Sequence, residues 1–455
     1  MTENTSRKAG FIISCITVAV AILLICAVAL PYITSIIKDN AAALGDVPTK
    51  EEILESMDAE PFEKNHISSY IKKWEFPNFE GNLIDTIEAT FERYYYKEIP
   101  EEAVLAKATV EAFVEFCYDT TDLKNKAAVS DALVDCLIYA IGDNYAFYRT
   151  ADETGDYEAD MSGNLVGIGV SVLRDNKNGT ILVESVEIGS PAEGAGIQPG
   201  DYIVAVDGER VSEIGTEAAL EKIRGEIGTR VRITINRGSS ENELEMIRAK
   251  IVEMTVSHKT YAGGRVGYIK ITGFKSNTDD QFVDAIDELE RAGVEAIIFD
   301  LRNNGGGYLN SVSNMLSYLV PTNTEITSFS NSKEPIYATD GKGSEHEANG
   351  DHVLTVPSVV LCNEYSASAS ELFCAAMRDY NKMGLLESTV MGKTTYKKGI
   401  MQSTLTFTDG STLTLTTALY NPPSGINFHG VGVEPDIFLS DSADYVSEAL
   451  RVLGY

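Results

Sequence analysis

Positive charge is scarce in this 455-residue sequence: 37 Lys and Arg stand against 68 Asp and Glu, a formal net charge of −31. Such a surface repels phosphate backbones and anionic lipid, which argues against nucleic-acid binding. Its plainer role is to keep an exposed protein soluble. Histidine is scarce too. His66, His258, His346, His352 and His429 are the full set, none in a recognisable catalytic context and two in a polar loop. That speaks against a Ser–His–Asp arrangement. The six cysteines have no metal-ligand spacing. Cys15 and Cys26 lie in an apolar run, Cys117 and Cys136 in helical sequence, and Cys362 and Cys374 flank a serine-rich stretch. No CxxC pair and no dense disulfide framework is present, although one disulfide between Cys117 and Cys136 stays open. Internal repeats are absent, and 44% hydrophobic residues with 37 glycines and 13 prolines exclude a collagen-like or wholly disordered chain. The length suffices for two or three domains.

One apolar run stands out. Residues 11–33 (FIISCITVAVAILLICAVALPYI) carry no charge, and about 20 such residues span a hydrocarbon core. Arg7 and Lys8 precede the run, so residues 1–10 are expected in the cytoplasm and everything after the run outside. The expectation is a single-pass anchor in the cell membrane. The competing reading is a cleaved signal peptide, with Ala27-Val28-Ala29 as its cleavage site; the run continues apolar beyond that point and favours the anchor.

Residues 34–84 are polar and acidic, as in a stalk or a loose helix above the membrane. Over 85–156 the spacing turns helical, with Val104, Ala108, Val110, Phe113, Val114 and Cys117 recurring largely at intervals of three and four. Val129, Leu133, Cys136, Leu137 and Ala140 follow suit, and Gly142-Asp143-Asn144-Tyr145 closes the segment as a turn. Short β-rich stretches come next, at 166–173, 180–186, 202–206 and 231–236, with a helix at 218–224; they delimit a compact unit at 157–252. Beyond it strands (266–271, 296–301, 358–362) alternate with helices (279–292, 309–319, 370–380), which argues for an α/β layer with a parallel sheet over 253–440. Residues 322–352 read as a surface loop and 441–455 as a tail.

The stretch Val359-Val360-Leu361-Cys362-Asn363-Glu364-Tyr365-Ser366-Ala367-Ser368-Ala369-Ser370-Glu371 passes from a buried strand into a helix. A serine at that junction sits where free N–H groups and the helix dipole favour an oxyanion. The same residues, Ser368 with Glu371, also make a plain capping box, and Ser366 or Ser370 could cap the helix equally well. A base other than histidine is needed. In Thr395-Tyr396-Lys397-Lys398-Gly399-Ile400-Met401-Gln402, a lysine desolvated enough to lose its proton would serve. Lys398 and Gln402 face the same way in extended chain. A solvated basic turn is the bland alternative.

These segments, with Phe299-Asp300-Leu301-Arg302-Asn303-Asn304-Gly305-Gly306-Gly307 before them and Gly430-Val431-Gly432-Val433-Glu434-Pro435-Asp436 after them, occur in an order that resembles the C-terminal processing (tail-specific) serine peptidases. The resemblance covers residues 90–440. It implies Ser368 as nucleophile, Lys398 as base, Gln402 as its partner, and an oxyanion hole from the N–H groups of Gly306 and Ala369. Neither metal nor cofactor is implied. Gly305 stands where the family often has proline, and Lys397 where it has glycine. Residues 157–252 resemble a PDZ domain, with Gly167-Ile168-Gly169-Val170 at the carboxylate-binding loop and Ser190-Pro191-Ala192 and Gly200-Asp201 in the usual order. This implies protein or peptide substrates held by their C-termini. A homo-oligomer is left open. The rival from another class is a PDZ scaffold with an inactive core, which would have lost Ser368, Lys398 or Gln402.

Overall fold

The computed structural model describes residues 47–455 except 58–65, 75, 162–163, 176–178, 188, 239, 332–344 and 349–351. The expected anchor at 11–33 lies outside the described residues. Among the described residues no helix is long and apolar enough to cross a membrane. The described residues divide into two compact units, those up to 88 with 100–142, and those of 89–99 with 143–455.

The first unit is helical. It holds α1 (Lys50–Ser56), α2 (Ile67–Lys73), the start of α3 (Gly81–Tyr94), α4 (Glu102–Ala112) and α5 (Lys126–Ile141). A π-turn, Phe113–Cys117, continues α4. Within the region expected as a stalk or loose helix, the described residues include helices: Thr49 caps α1 with a full capping box, and Ile53, Ile67, Tyr70, Ile71 and Trp74 are buried. Among the described residues Glu51, Glu52, Glu55 and Glu80 are exposed while a few widely spaced apolar ones make the core, a pattern that composition alone hides.

The second unit begins with β1 (Phe147–Arg149) and α6 (Ala151–Met161), then β2 (Asn164–Gly167), β3 (Val170–Asp175), β4 (Thr180–Val186), α7 (Pro191–Gly194), β5 (Tyr202–Val206), β6 (Glu209–Arg210), α8 (Val211–Ile214), α9 (Thr216–Ile223), β7 (Arg230–Arg237), β8 (Ser240–Ile247) and β9 (Ala249–Val252). β3, β4, β5, β7 and β8 form one sheet in that order, with β6 paired to β5. Its core is Ile181, Val183, Ile203, Val206, Ile233 and Ile235, closed by Ala219 and Ile223 of α9. The strand expected over 166–173 is broken in two at Ile168-Gly169. Gly169 has φ +80°, and a Cβ there would lie 2.3 Å from Ser190 Cβ, so only glycine fits.

Next come β10 (Val256–Tyr261), β11 (Val266–Ile271), α10 (Thr278–Arg291), β12 (Ala296–Asp300), α11 (Leu309–Leu319), β13 (Glu325–Ser330), β14 (Glu345–Glu347), β15 (Ser358–Cys362), α12 (Ala369–Met383), β16 (Ser388–Gly392), β17 (Ile400–Thr406), β18 (Thr412–Asn421), β19 (Ile437–Phe438) and α13 (Tyr445–Val452). A six-stranded sheet runs β10-β11-β12-β15-β16-β19, parallel from β11 onward. β12 and β15 are buried along their whole length, as expected of strands covered on both faces. Alternate residues serve opposite cores: Ile297, Phe299 and Val360 pack with Phe282, Leu316 and Phe373 of the crossover helices, whereas Ala296, Ile298 and Val359 pack with Tyr445 and Ala449 of α13. The expected C-terminal tail is thus a packed helix. β1, β18, β13 and β14 form a second sheet, with β17 also paired to β18. The loop expected at 322–352 contributes two of its strands.

Candidate active site

Parallel strands deliver their loops to one end of the sheet, and the serine motif is the loop after β15. Its three serines have different surroundings. Ser366 is buried and its Oγ donates to Leu301 O at 2.8 Å. The Ser370 hydroxyl, also buried, donates to Asn304 O at 2.9 Å. Both tie this loop to the loop after β12, helped by Ala367 N donating to Asn304 O at 2.9 Å. Ser368, between them, has φ +56°, a costly conformation for a residue with a Cβ. Its Oγ lies 3.4 Å from the Tyr420 hydroxyl, which itself reaches Lys398 O at 2.8 Å.

Gly306 lies against this serine. It has φ +101°, and a Cβ on it would meet Ala367 O at 2.7 Å and Ser368 Cβ at 2.8 Å. The Gly306 N–H, however, donates to Asn304 Oδ1 at 2.9 Å, so in this structure it is already engaged. Ala369 opens α12, within the first turn whose N–H groups have no intrahelical acceptor.

Glu371 joins the two halves of the site. Its carboxylate is fully buried. It accepts from Ser368 N at 2.9 Å, Thr395 Oγ1 at 2.5 Å, Lys397 N at 2.6 Å and Lys398 N at 2.7 Å. Read from sequence it was a helix cap only; nothing in the local pattern announces partners 24 to 27 residues away.

Lys398 is half-buried with its ammonium 4.7 Å from the centre of the Tyr145 ring. Burial lowers its pKa from the ordinary lysine value, against the opposing charges of Asp143 and Glu371. Lys397 is exposed and has φ +88°. That left-handed backbone is the physical reason glycine suits the position. Gln402 is not brought onto Lys398. A β-bulge intervenes between Met401 and Gln402, and the Gln402 Nε2 donates to Thr416 Oγ1 at 3.3 Å and Ile400 O at 3.4 Å. Thr416 Oγ1 in turn donates to buried Asp143 at 2.9 Å. Asp143, Tyr145, Glu371 and Tyr420 are the residues sequence reasoning missed here. The Gly142-Asp143-Asn144-Tyr145 turn was the available signal for two of them. His429 also comes close, since a Cβ on Gly399 would lie 2.8 Å from its backbone N.

In the expected PDZ loop, Ile168 is buried and its carbonyl accepts from Ala192 N at 2.8 Å. The Gly169 carbonyl accepts from Glu187 N at 3.0 Å. Gly167 ends β2 and Val170 starts β3, which lies at the sheet edge. Arg174 of β3 pairs with Glu217 of α9 at 3.1 Å. For a metal, one group among the described residues has suitable spacing, His66, Asp85 and Glu88. Asp85 there already accepts from Ser68 N and Oγ, and burial raises Glu88 to about 7, so the structural use explains the group.

Residues 265–439 match peptidase family S41, and residues 182–237 match the PDZ domains. Fold and matches define a mixed α/β protease fold with a PDZ domain. Through residues 265–439 the chain is similar to the serine peptidases of family S41. It is 35% identical over 328 residues to a probable CtpA-like serine protease of Staphylococcus haemolyticus (strain JCSC1435), covering 71% of this chain and 63% of that one. The corresponding protein of Staphylococcus aureus (strain MRSA252) is 33% identical over 324 residues, 71% and 62% of the two chains. The chain therefore spans somewhat under two thirds of the length of these relatives. Among solved structures, the photosystem II D1 C-terminal processing protease shares 24% identity over 82% of this chain and 97% of that chain, with a TM-score of 0.46.

Proposed function

We propose that this protein is a serine endopeptidase that cleaves polypeptides captured by their C-termini, with Ser368 as nucleophile and Lys398 as base. The observation that carries the proposal is the single buried carboxylate of Glu371, which accepts from the backbone N–H of both residues. Neutral Lys398 takes the proton of Ser368 Oγ as the oxygen attacks a peptide carbonyl. The oxyanion is held by Ala369 N–H at the helix N-terminus and by Gly306 N–H once it turns from Asn304. The C–N bond then breaks, the ammonium returns its proton to the leaving amine, and water hydrolyses the acyl-enzyme. Gln402 acts through Thr416 on Asp143, whose charge faces the lysine. The substrate's terminal carboxylate meets the N–H groups of Gly167, Ile168, Gly169 and Val170, while its backbone extends the sheet at β3. The uncharged run at 11–33 behind Arg7 and Lys8 supports a membrane anchor with the catalytic part outside the cytoplasm.

The direct test is cleavage of a denatured protein ending in apolar residues. Ser368→Ala abolishes cleavage while the circular dichroism spectrum stays that of the wild type. An alanine variant with wild-type activity would remove Ser368 from the mechanism.

A further inference from the structure

Cys117 and Cys136 both lie in the first unit, with their Sγ atoms 3.6 Å apart and both thiols free. The π-turn makes this approach possible. Its wider winding, closed by Tyr118 N donating to Phe113 O at 2.9 Å, rotates the following residues around the helix axis. Phe116 is left 55% exposed, and Cys117 turns toward α5, where Cys136 is buried. Cys117 is the last residue of the turn and is itself only half-buried. It combines access from solvent with an irregular segment after it, through which the backbone can adjust. The other described pair lacks this access: Cys362 and Cys374 are both buried, and Cys362 Sγ donates to Lys393 O at 3.3 Å.

We propose that Cys117 and Cys136 are a disulfide-forming site, oxidised by exchange with a small-molecule or protein disulfide. The Cys117 thiolate attacks one sulfur of that disulfide, whose S–S bond breaks and releases one thiolate. Cys136 then attacks Cys117 Sγ in the mixed disulfide and expels the second. One S–S bond is made in the protein and one is lost in the oxidant; the two protein protons end on the two departing thiolates. Burial raises the Cys136 pKa, followed by the neighbouring Cys117 sulfur. The second cause disappears once Cys117 is in the mixed disulfide, while the burial of Cys136 remains. The bond ties the end of the α4 segment to α5 and closes a loop in the unfolded chain.

The full-length protein is incubated with oxidised glutathione, denatured, alkylated and digested. A linked peptide pair containing Cys117 and Cys136 is expected, with Cys362 and Cys374 alkylated. The first unfolding transition should rise by about 5 °C or more over the reduced protein, and by nothing in Cys117→Ser. Cys117 is half-exposed, so that variant folds. Full alkylation of both thiols after oxidation, or an equal shift in Cys117→Ser, overturns the proposal. Neither readout depends on peptidase activity.

Discussion

At the scale of single residues, two adjacent lysines separate what register predicts from what backbone geometry explains. Lys398 is half-buried with a lowered pKa, and Lys397 is an exposed side chain on a left-handed backbone. Lys398→Ala should abolish peptidase activity as completely as loss of Ser368, and Lys397→Ala should keep most of it. Lys397→Gly should raise stability by about 1 kcal/mol in urea denaturation, because glycine carries no Cβ penalty at positive φ. A destabilised glycine variant would refute the strain argument. A lysine base works only when neutral, and burial moves the Lys398 pKa below the usual lysine value, so the proposed mechanism predicts activity that rises with pH through that lowered pKa and then levels. The sequence singles out Lys398 only through the resemblance, by its place before a glycine in an ordered motif. The division of labour among Ser366, Ser368 and Ser370 was not legible there, since it depends on the carbonyls of Leu301 and Asn304 in a distant loop.

Among the elements, α12 and its approach carry the site. A strand-to-helix junction with serine and glutamate three apart announces a capped N-terminus, and Glu371 does accept from Ser368 N. The same carboxylate also accepts from Thr395, Lys397 and Lys398, so the helix start holds the Ser368 and Lys398 segments together. Glu371→Gln presents an NH2 group to donors that need an acceptor. It should lower kcat by about 100-fold, as a misplacement of roughly 1 Å does, and cost about 1–3 kcal/mol of stability for the unmatched buried donors. Near-normal kcat in a folded variant would show that the carboxylate is not what positions Lys398. The βαβ alternation was readable because β12 and β15 are short, wholly apolar runs between amphipathic helices. β13, β14 and β18 were harder to read. The pairing of β13 with β18 joins segments far apart in sequence, and Thr-rich strands such as β18 are buried without an apolar pattern.

For the whole molecule, the proposed function divides substrate capture and cleavage between the PDZ region and the protease core. β3 is an edge strand, and its neighbours leave one side of its backbone for an added strand. Main-chain bonds along such an edge are indifferent to sequence, so selectivity for chain ends has to come from the turn between β2 and β3. There the carbonyls of Ile168 and Gly169 point into the domain and are engaged. Backbone N–H groups are what such a turn offers a terminal carboxylate. A hydrogen bond to a charged acceptor contributes about 1.5–3 kcal/mol, and neutralising the acceptor forfeits it. Two peptides of identical sequence, one ending in a free carboxylate and one in an amide, should therefore differ about 10- to 100-fold in KM while sharing one kcat, because capture is made equally in ground and transition states. Moving the loss into kcat would mean instead that the occupied PDZ region switches the core on. Equal KM values would mean that chain ends are not recognised at this turn, and the cleavage preference would then have to reside beside Ser368.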